Sequence, residues 1–408
     1  MKANLFVAII AIMVLTGCKK EDHSAAFTQL TADYFKAKNE LNPIDATFNG
    51  QTGYNDKLQL EMTEEYRSKQ REFIERFEKA LATIDTTTLD DEEKISFEII
   101  RWETGINKDL LQYPTNLIPL HQFWGTHLTM GQLAGATSAQ PFKNAKDYRD
   151  FHQRIEKYAV WIDSAMVYMK KGIAQKVTLP RTLAVKIVPQ FRDMMSESPK
   201  ENLFYSAIKI MPESIAENDR KEIAAAYEKT IAEKLNPAFG RMVKFLEQEY
   251  IPACRTSSGI EALPFGKDYY RTLVKSWTTT DLSPEAIHEI GLKEVARLRS
   301  EMEAVKKQVG FTGTIQEFFE HVRNKPELKP FKKPEEVIAN FERIHDKIKP
   351  NVDKLFSLQP KTPFEIRRTE AFREQSASAE YVQGTADGKR PGIFYVPIPD
   401  VTAYNYYA

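Results

Sequence analysis

The sequence predicts a mainly α protein, a large multi-helix body followed by a small β-sheet that begins only in the C-terminal part. Three observations carry this. Apolar residues recur at three- and four-residue steps through most of residues 27–349. One such stripe, Ala145 to Lys171, runs for 27 residues. At about 1.5 Å per residue that is a helix of about 40 Å, a length suited to an all-helical body rather than a compact sheet protein. After Pro350 the pattern shortens to a period of two, as strands require.

Taken in order, Phe27, Leu30, Tyr34 and Leu41 mark a first helix that Asn42-Pro43 ends. Residues 43–50 read as a loop, extended by Gly53. A long polar helix is expected from Gln59 to Thr83, carried by Met62, Tyr66, Phe73, Phe77 and Leu81. Asp90 or its neighbour opens the next, with Ile95, Ile99, Trp102, Ile106 and Leu110 at helical spacing. Residues 112–142 break the rhythm with three prolines and three glycines around His121, Trp124 and His127. The two histidines are six apart, which does not put them on one helical face. They read as structural histidines in an aromatic loop, with metal binding and the lining of a cleft as the functional alternatives.

The long stripe follows, with Gly172 as its stop, then a short apolar piece from Leu179 to Phe191 with Pro180 and Pro189 at its ends. Helices over 216–235 and 238–250 are separated by Asn236-Pro237, and Pro252 closes the pair. The best-specified helix comes next. Ser283 stands at the N-cap, Pro284 at the first helical position and Glu285 in the first turn. Ile287, Ile290, Val295, Leu298, Met302, Val305 and Val309 continue it to Gly310. Thr314 caps Ile315–Arg323, and Pro334 starts Glu335–Lys349. Three short strands are expected at 363–368, 380–383 and 392–396, with a turn at Asp387-Gly388.

The chain has 408 residues, 42% hydrophobic and 28% charged, enough for a sizeable core. Lys and Arg balance Asp and Glu at 57 each, so there is no basic footprint for nucleic acid. At the N-terminus one lysine precedes an apolar run from Leu5 to Leu15, too short to span a bilayer comfortably. Leu15-Thr16-Gly17-Cys18 resembles a bacterial lipoprotein processing box. The resemblance implies a signal peptide over 1–17, acylation of Cys18 and a tether over 18–26. The partner would be a lipid bilayer and the location the cell envelope, periplasmic or at the outer membrane. An uncleaved N-terminal anchor is the alternative, and either places the rest outside the cytoplasm.

The chain contains no glycine-rich phosphate loop, G-x-S-x-G elbow or paired-cysteine zinc site. His288-Glu289 starts like a metalloprotease helix, but the required second histidine position is Leu292. Cys254 lacks a context that would make it a nucleophile and reads as a small packing residue.

Residues 278–305 (TTTDLSPEAIHEIGLKEVARLRSEMEAV) and 387–396 (DGKRPGIFYV), with Tyr269-Tyr270-Arg271 and Pro363-Phe364-Glu365-Ile366, resemble the domain of unknown function 885 family over about residues 27–408. That family resembles helical zinc peptidases, and many members are exported lipoproteins. The resemblance therefore implies the front portion of a helical zinc-peptidase fold. It also implies an H-E-x-x-P-G-H-H helix after the Arg-Pro-Gly-x-Phe-Tyr block, which this sequence does not contain.

The expectation is thus an N-terminal portion of a zinc-peptidase-like lipoprotein, incomplete at its C-terminus, with no cofactor of its own and zinc only in a full-length homologue. Whether such a chain is an enzyme is left open. The resemblance places residues 363–397 as strands beside the catalytic helix, holding an extended peptide. Arg390 would face a substrate carboxylate and Tyr395 a transition-state oxygen. Alternatively, Arg390 locks the turn and Tyr395 packs under it. A non-catalytic helical binding lipoprotein is the alternative function.

Overall fold

The computed structural model describes residues 23–406, apart from 137, 361, 372, 373, 376, 386 and 387. The expected signal peptide, Cys18, most of the tether and Asp387 therefore lie outside the described residues. The architecture is a large helical body carrying a three-stranded sheet near its C-terminal end.

The first layer is α1 (Ser24–Leu41), α3 (Glu64–Leu81) and α4 (Asp91–Leu110), with the short α2 (Pro43–Phe48) between the first two. Phe27, Leu30 and Tyr34 pack there on Phe77, Leu81, Phe97 and Ile100. The expected loop at 43–50 is helical because Pro43 occupies the first turn, where no N–H is needed. The helix expected from Gln59 begins only at Glu64, where the Thr63 side chain accepts from the Tyr66 N–H. In α4, Asp90 and Glu93 form a reciprocal capping box, but the buried face is Phe97, Ile100, Thr104 and Ile106. Ile95 and Ile99 are exposed. Their spacing allowed a helix face but could not say which face meets α1 and α3.

At the centre lies α6 (Ala145–Ala174), about 45 Å long and wrapped by α5 (Thr126–Ala134), α7 (Arg181–Asp193), a short α8 (Ser206–Lys209), α9 (Glu217–Thr230) and α10 (Asn236–Phe245). Its Tyr148, Phe151, Ile155, Tyr158, Trp161 and Ile162 join Phe191, Phe204 and Phe239 in the main core. Gly172 does not stop this helix. A Cβ there would lie 2.6 Å from the Val177 carbonyl oxygen and 2.9 Å from that of Leu117, so glycine permits a close backbone approach.

Asn236-Pro237 does not separate two helices either. A π turn at Ile231–Leu235 joins α9 to α10, and a second at Leu246–Tyr250 joins α10 to α11 (Ile251–Ala253). In each, the closing N–H, from Asn236 or Ile251, reaches back five residues, to Ile231 or Leu246. The following residue is a proline that has no N–H to offer. Pro189 is likewise inside α7.

The remaining helices are α12 (Gly266–Thr278), α13 (Pro284–Gln308), α14 (Ile315–Arg323) and α15 (Pro334–Leu355), the last continuing past Pro350. Ser283 caps α13 as expected, accepting from the Ala286 N–H at 3.1 Å. Yet α13 buries no residue. The sheet comprises β1 (Phe364–Arg368), β2 (Glu380–Val382) and β3 (Gly392–Val396), in the order β1-β3-β2. β1 runs parallel to β3 with Phe364 opposite Gly392, and β2 runs antiparallel with Glu380 opposite Tyr395. Under the sheet, Phe331 and Val337 pack with Val396 and Ile398 in a small separate core.

Candidate functional site: an edge strand beside an aromatic cleft

Arg390 stands in the turn before β3 and Tyr395 within the strand. Strand alternation puts Phe394 and Val396 of β3 on the small core with Val337 and Phe341, so Tyr395 points the other way. It is buried. Arg390 precedes the strand, and its guanidinium donates to the Phe48 carbonyl at the end of α2. Its backbone closes a turn: Arg390 N–H donates to Thr385 Oγ1, and Thr385 N–H to the Arg390 carbonyl, each at 3.0 Å.

Two further links fix this turn to the helical body. Gln383 Nε2 donates to Asn49 Oδ1 at 2.6 Å. Gly50, at φ +75°, lies against Thr385, where a Cβ would come within 2.5 Å of the threonine methyl. Burial disfavours the Arg390 charge and lowers its pKa, while the nearby Tyr395 and Tyr381 hydroxyls offset part of that loss. Arg390 is therefore a tie between sheet and body. The bond to Phe48 uses one of the five N–H donors on its guanidinium.

The irregular segment expected to hold structural histidines also forms one wall of a cleft. His121 stacks on Trp124 at 3.7 Å between ring centroids, with an 11° interplanar angle. Its Nδ1 accepts from the Phe123 N–H at 3.1 Å. Gln190 of α7 holds the segment from below, donating to the Gln122 carbonyl at 2.8 Å and meeting His127 Nε2 at 3.2 Å. Gly125, at φ +120°, turns the chain into α5 where a side chain would crowd the His127 ring.

The cleft, about 670 Å³, is closed by Leu128, Thr129 and Gln132 of α5 and by Lys186, Pro189, Gln190 and Asp193 of α7. Its far wall is Ala377, Ser378 and Glu380, the approach to and first residue of β2. Phe123 and Trp124 each remain 66% exposed at its mouth. The volume is typical of a site for a small ligand.

His121 and His127 do not converge on a metal site. His127 is fully buried, stacks on Phe191, and has its pKa pushed down to about 4 by desolvation. Among the described residues no group of three His, Cys, Asp or Glu is placed to hold an ion. His288 and Glu289 lie exposed on α13. Cys254 is buried, and desolvation raises its thiol pKa to about 11, away from the reactive thiolate.

Two buried polar centres escaped the sequence reading. Arg154 has no exposed surface and donates to the carbonyls of Tyr54 and Lys57, Thr47 Oγ1 and Gln140 Oε1. Glu61 accepts from Thr126 at 2.6 Å and Trp161 Nε1 at 2.8 Å, and burial raises its pKa. Arg154 falls three residues after Phe151, inside the apolar stripe. A charged residue at a core-facing position was the available signal.

The fold is similar to two solved structures. One is a presumptive lipoprotein from Colwellia psychrerythraea, with a TM-score of 0.80 and 19% identity, covering 93% of this chain and 68% of that one. The other is a presumptive lipoprotein of unknown function from Shewanella oneidensis, with a TM-score of 0.56 and 14% identity, covering 92% and 65%. At these identities the likeness shows the fold, and the chain spans about two thirds of each protein. No curated protein matches the chain. Residues 43–408 match the family model described as bacterial protein of unknown function (DUF885), and to that family the chain belongs.

Proposed function

We propose that the chain forms the peptide-holding part of a zinc-peptidase-like lipoprotein of the cell envelope. The observation that carries this is the position of β2, the outer strand of the sheet among the described residues, which pairs antiparallel with β3 and whose approach lines the cleft. An edge strand offers a row of backbone N–H and C=O groups to an extended peptide. In this reading the acyl chain on Cys18 attaches the protein to its bilayer, in keeping with the lipoprotein descriptions of both structural neighbours.

Zinc, Lewis acidity and an activated water would belong to the H-E-x-x-P-G-H-H helix implied by the resemblance. No residue of this sequence matches that motif, so no step is assigned to the metal. What these residues supply is orientation. β2 aligns the peptide backbone, while the Arg390–Phe48 and Gln383–Asn49 ties hold the sheet against the body. Tyr395 and the donors of Arg390 not used on Phe48 are the groups proposed to approach substrate oxygens.

A second reading, a helical binding lipoprotein, is favoured by the exposed apolar stripe of α13. The two separate on the DNA downstream of the Ala408 codon, translated in all frames. An H-E-x-x-P-G-H-H helix is expected there. Its absence from every frame overturns the peptidase reading and leaves the binding protein.

A further inference from the structure

We propose that the exposed face of α4 around Ile95 and Ile99 is the surface with which the protein lies on its bilayer. This rests on the reading of Cys18 as the acylated residue and adds which side of the molecule that anchor turns toward the lipid. The length of chain behind the anchor carries the inference. Lys19 to Asp22 are all that separates Cys18 from His23. His23 is pinned beside the start of α4: its N–H donates to Thr88 Oγ1 at 3.3 Å, and Ser24 Oγ donates to Glu93 Oε1 at 2.5 Å. Five residue steps at full extension reach about 18 Å. The acyl chain therefore enters the membrane close to the first turn of α4.

The packing of α4 leaves part of its apolar surface bare. Phe97 and Ile100 pack on α1 and α3. On the other side Ile95, Ile99, Trp102 and Ile106 follow one another at helical spacing. Toward the C-terminal end this second stripe is covered: Ile106 is buried, and the Lys275 ammonium of α12 lies over Trp102 at 5.9 Å. Toward the N-terminal end it is open, with Ile95 62% and Ile99 55% exposed. At a rise of about 1.5 Å per residue Ile99 lies about 9 Å along the axis from Glu93, and the helix is about 10 Å across. The tether is thus long enough to pass the end of α4 and short enough to hold this face against the lipid.

Ile95, Ile99 and Trp102 share one depression with Thr279. Two residues before Thr279 stands Trp277, 83% exposed, and tryptophan is suited to the headgroup level, where its ring meets both acyl chain and water. The cations here are matched: Lys94 pairs with Asp91 and Arg101 with Glu98. Contact is therefore made by apolar side chains and is indifferent to salt. The stripe on α13 is also bare. What selects α4 is the tether pinned beside it.

The full chain, exported and acylated in bacteria and reconstituted into phosphatidylethanolamine–phosphatidylglycerol vesicles, tests the assignment. With Cys18 acylated and Cys254 buried, an introduced surface cysteine can be labelled selectively with a polarity-sensitive fluorophore. Reporters are placed at Glu98→Cys on α4 and at Glu294→Cys on α13. The Glu98→Cys reporter is expected to be quenched by lipids that carry a nitroxide on the acyl chain, at low and high salt alike, and the Glu294→Cys reporter to remain in water. Replacing both isoleucines, Ile95→Ser with Ile99→Ser, is expected to lower the docked-to-undocked ratio at Glu98→Cys about tenfold, with flotation on vesicles and the circular dichroism spectrum unchanged.

A Glu98→Cys reporter that stays in water while the protein floats overturns the docking face and leaves the anchor standing. Quenching at Glu294→Cys in its place does the same. A Glu98→Cys reporter shielded from water yet untouched by the lipid quencher means that protein covers the face, and also overturns it. Failure of the natural chain to float, or flotation that survives Cys18→Ala, overturns the acyl anchor and this inference together.

Discussion

Helices α6 and α13 are both legible in the sequence and have opposite fates. Each has a side-chain N-cap: Asn144 with Asp147 in a capping box for α6, Ser283 for α13. Each carries apolar residues at helical spacing, over 30 and 25 residues respectively. α6 buries Tyr148, Phe151, Ile155, Tyr158 and Trp161 at the heart of the main core. α13 leaves Ile290, Val295, Leu298, Met302 and Val305 exposed. Capping and periodicity specify that a helix forms and which stripe is apolar. Burial requires a covering neighbour, and α14, which meets α13, leaves no residue of it buried.

The sharpest break of this contrast is at arginine. Arg154→Met in α6 removes the donors from four buried or half-buried acceptors and is expected to cost about 4 kcal/mol in denaturant unfolding. Arg297→Met in α13 removes a guanidinium that bridges Glu294 and Glu301 at the surface, and no measurable change is expected. Equal losses from the two substitutions would refute the distinction.

A smaller effect separates the regions by pH. His127 has a folded-state pKa of about 4, below its ordinary value of about 6.5, so the unfolded chain takes up a proton that the fold refuses. Its contribution is fully present above pH ~6.5 and is lost as the pH falls toward 4, by about 3 kcal/mol. Urea unfolding at intervals across that window should show a steeper decline for the natural chain than for His127→Asn. Parallel pH profiles would remove His127 as the cause.

The smallest expected effect is on α13 itself. Val295→Gln should move the unfolding midpoint by less than about 0.5 kcal/mol in equivalent stability, because the residue is already 65% exposed. It should also reduce light scattering of concentrated protein, since it interrupts an exposed apolar stripe. A loss of several kcal/mol would mean that α13 is covered in solution.

The same division explains what could be read beforehand. Local chemistry was legible: the Asp90–Glu93 and Thr314–Glu317 boxes start their helices as expected, and β3 spans Gly392–Val396, the residues expected of it. The aromatic segment around Trp124 was legible as a break in rhythm and as one possible cleft wall. Its opposite wall was not, because Ala377 and Ser378 lie some 250 residues away and carry no pattern of their own. Arg390 and Tyr395 stand out only through the family block. That Arg390 and its turn meet the end of α2 depends on the Phe48 carbonyl and on Gly50 against Thr385, groups whose partners only the fold reveals.

The two π turns before Pro237 and Pro252 have a consequence for how this protein tolerates insertions and deletions. Each wide turn sets the phase of the rod beyond it. Removing one residue from Ile231–Leu235 would let an ordinary α turn replace the wide one and leave the helix beyond nearly in phase. Adding one residue would find no wider turn to take it up and would rotate everything downstream by about 100°. Ala238, Phe239 and Met242 would then swing out of the core as a group, although none had been substituted. An added residue, harmless in most surface loops, would act there as a simultaneous replacement of an entire packing face.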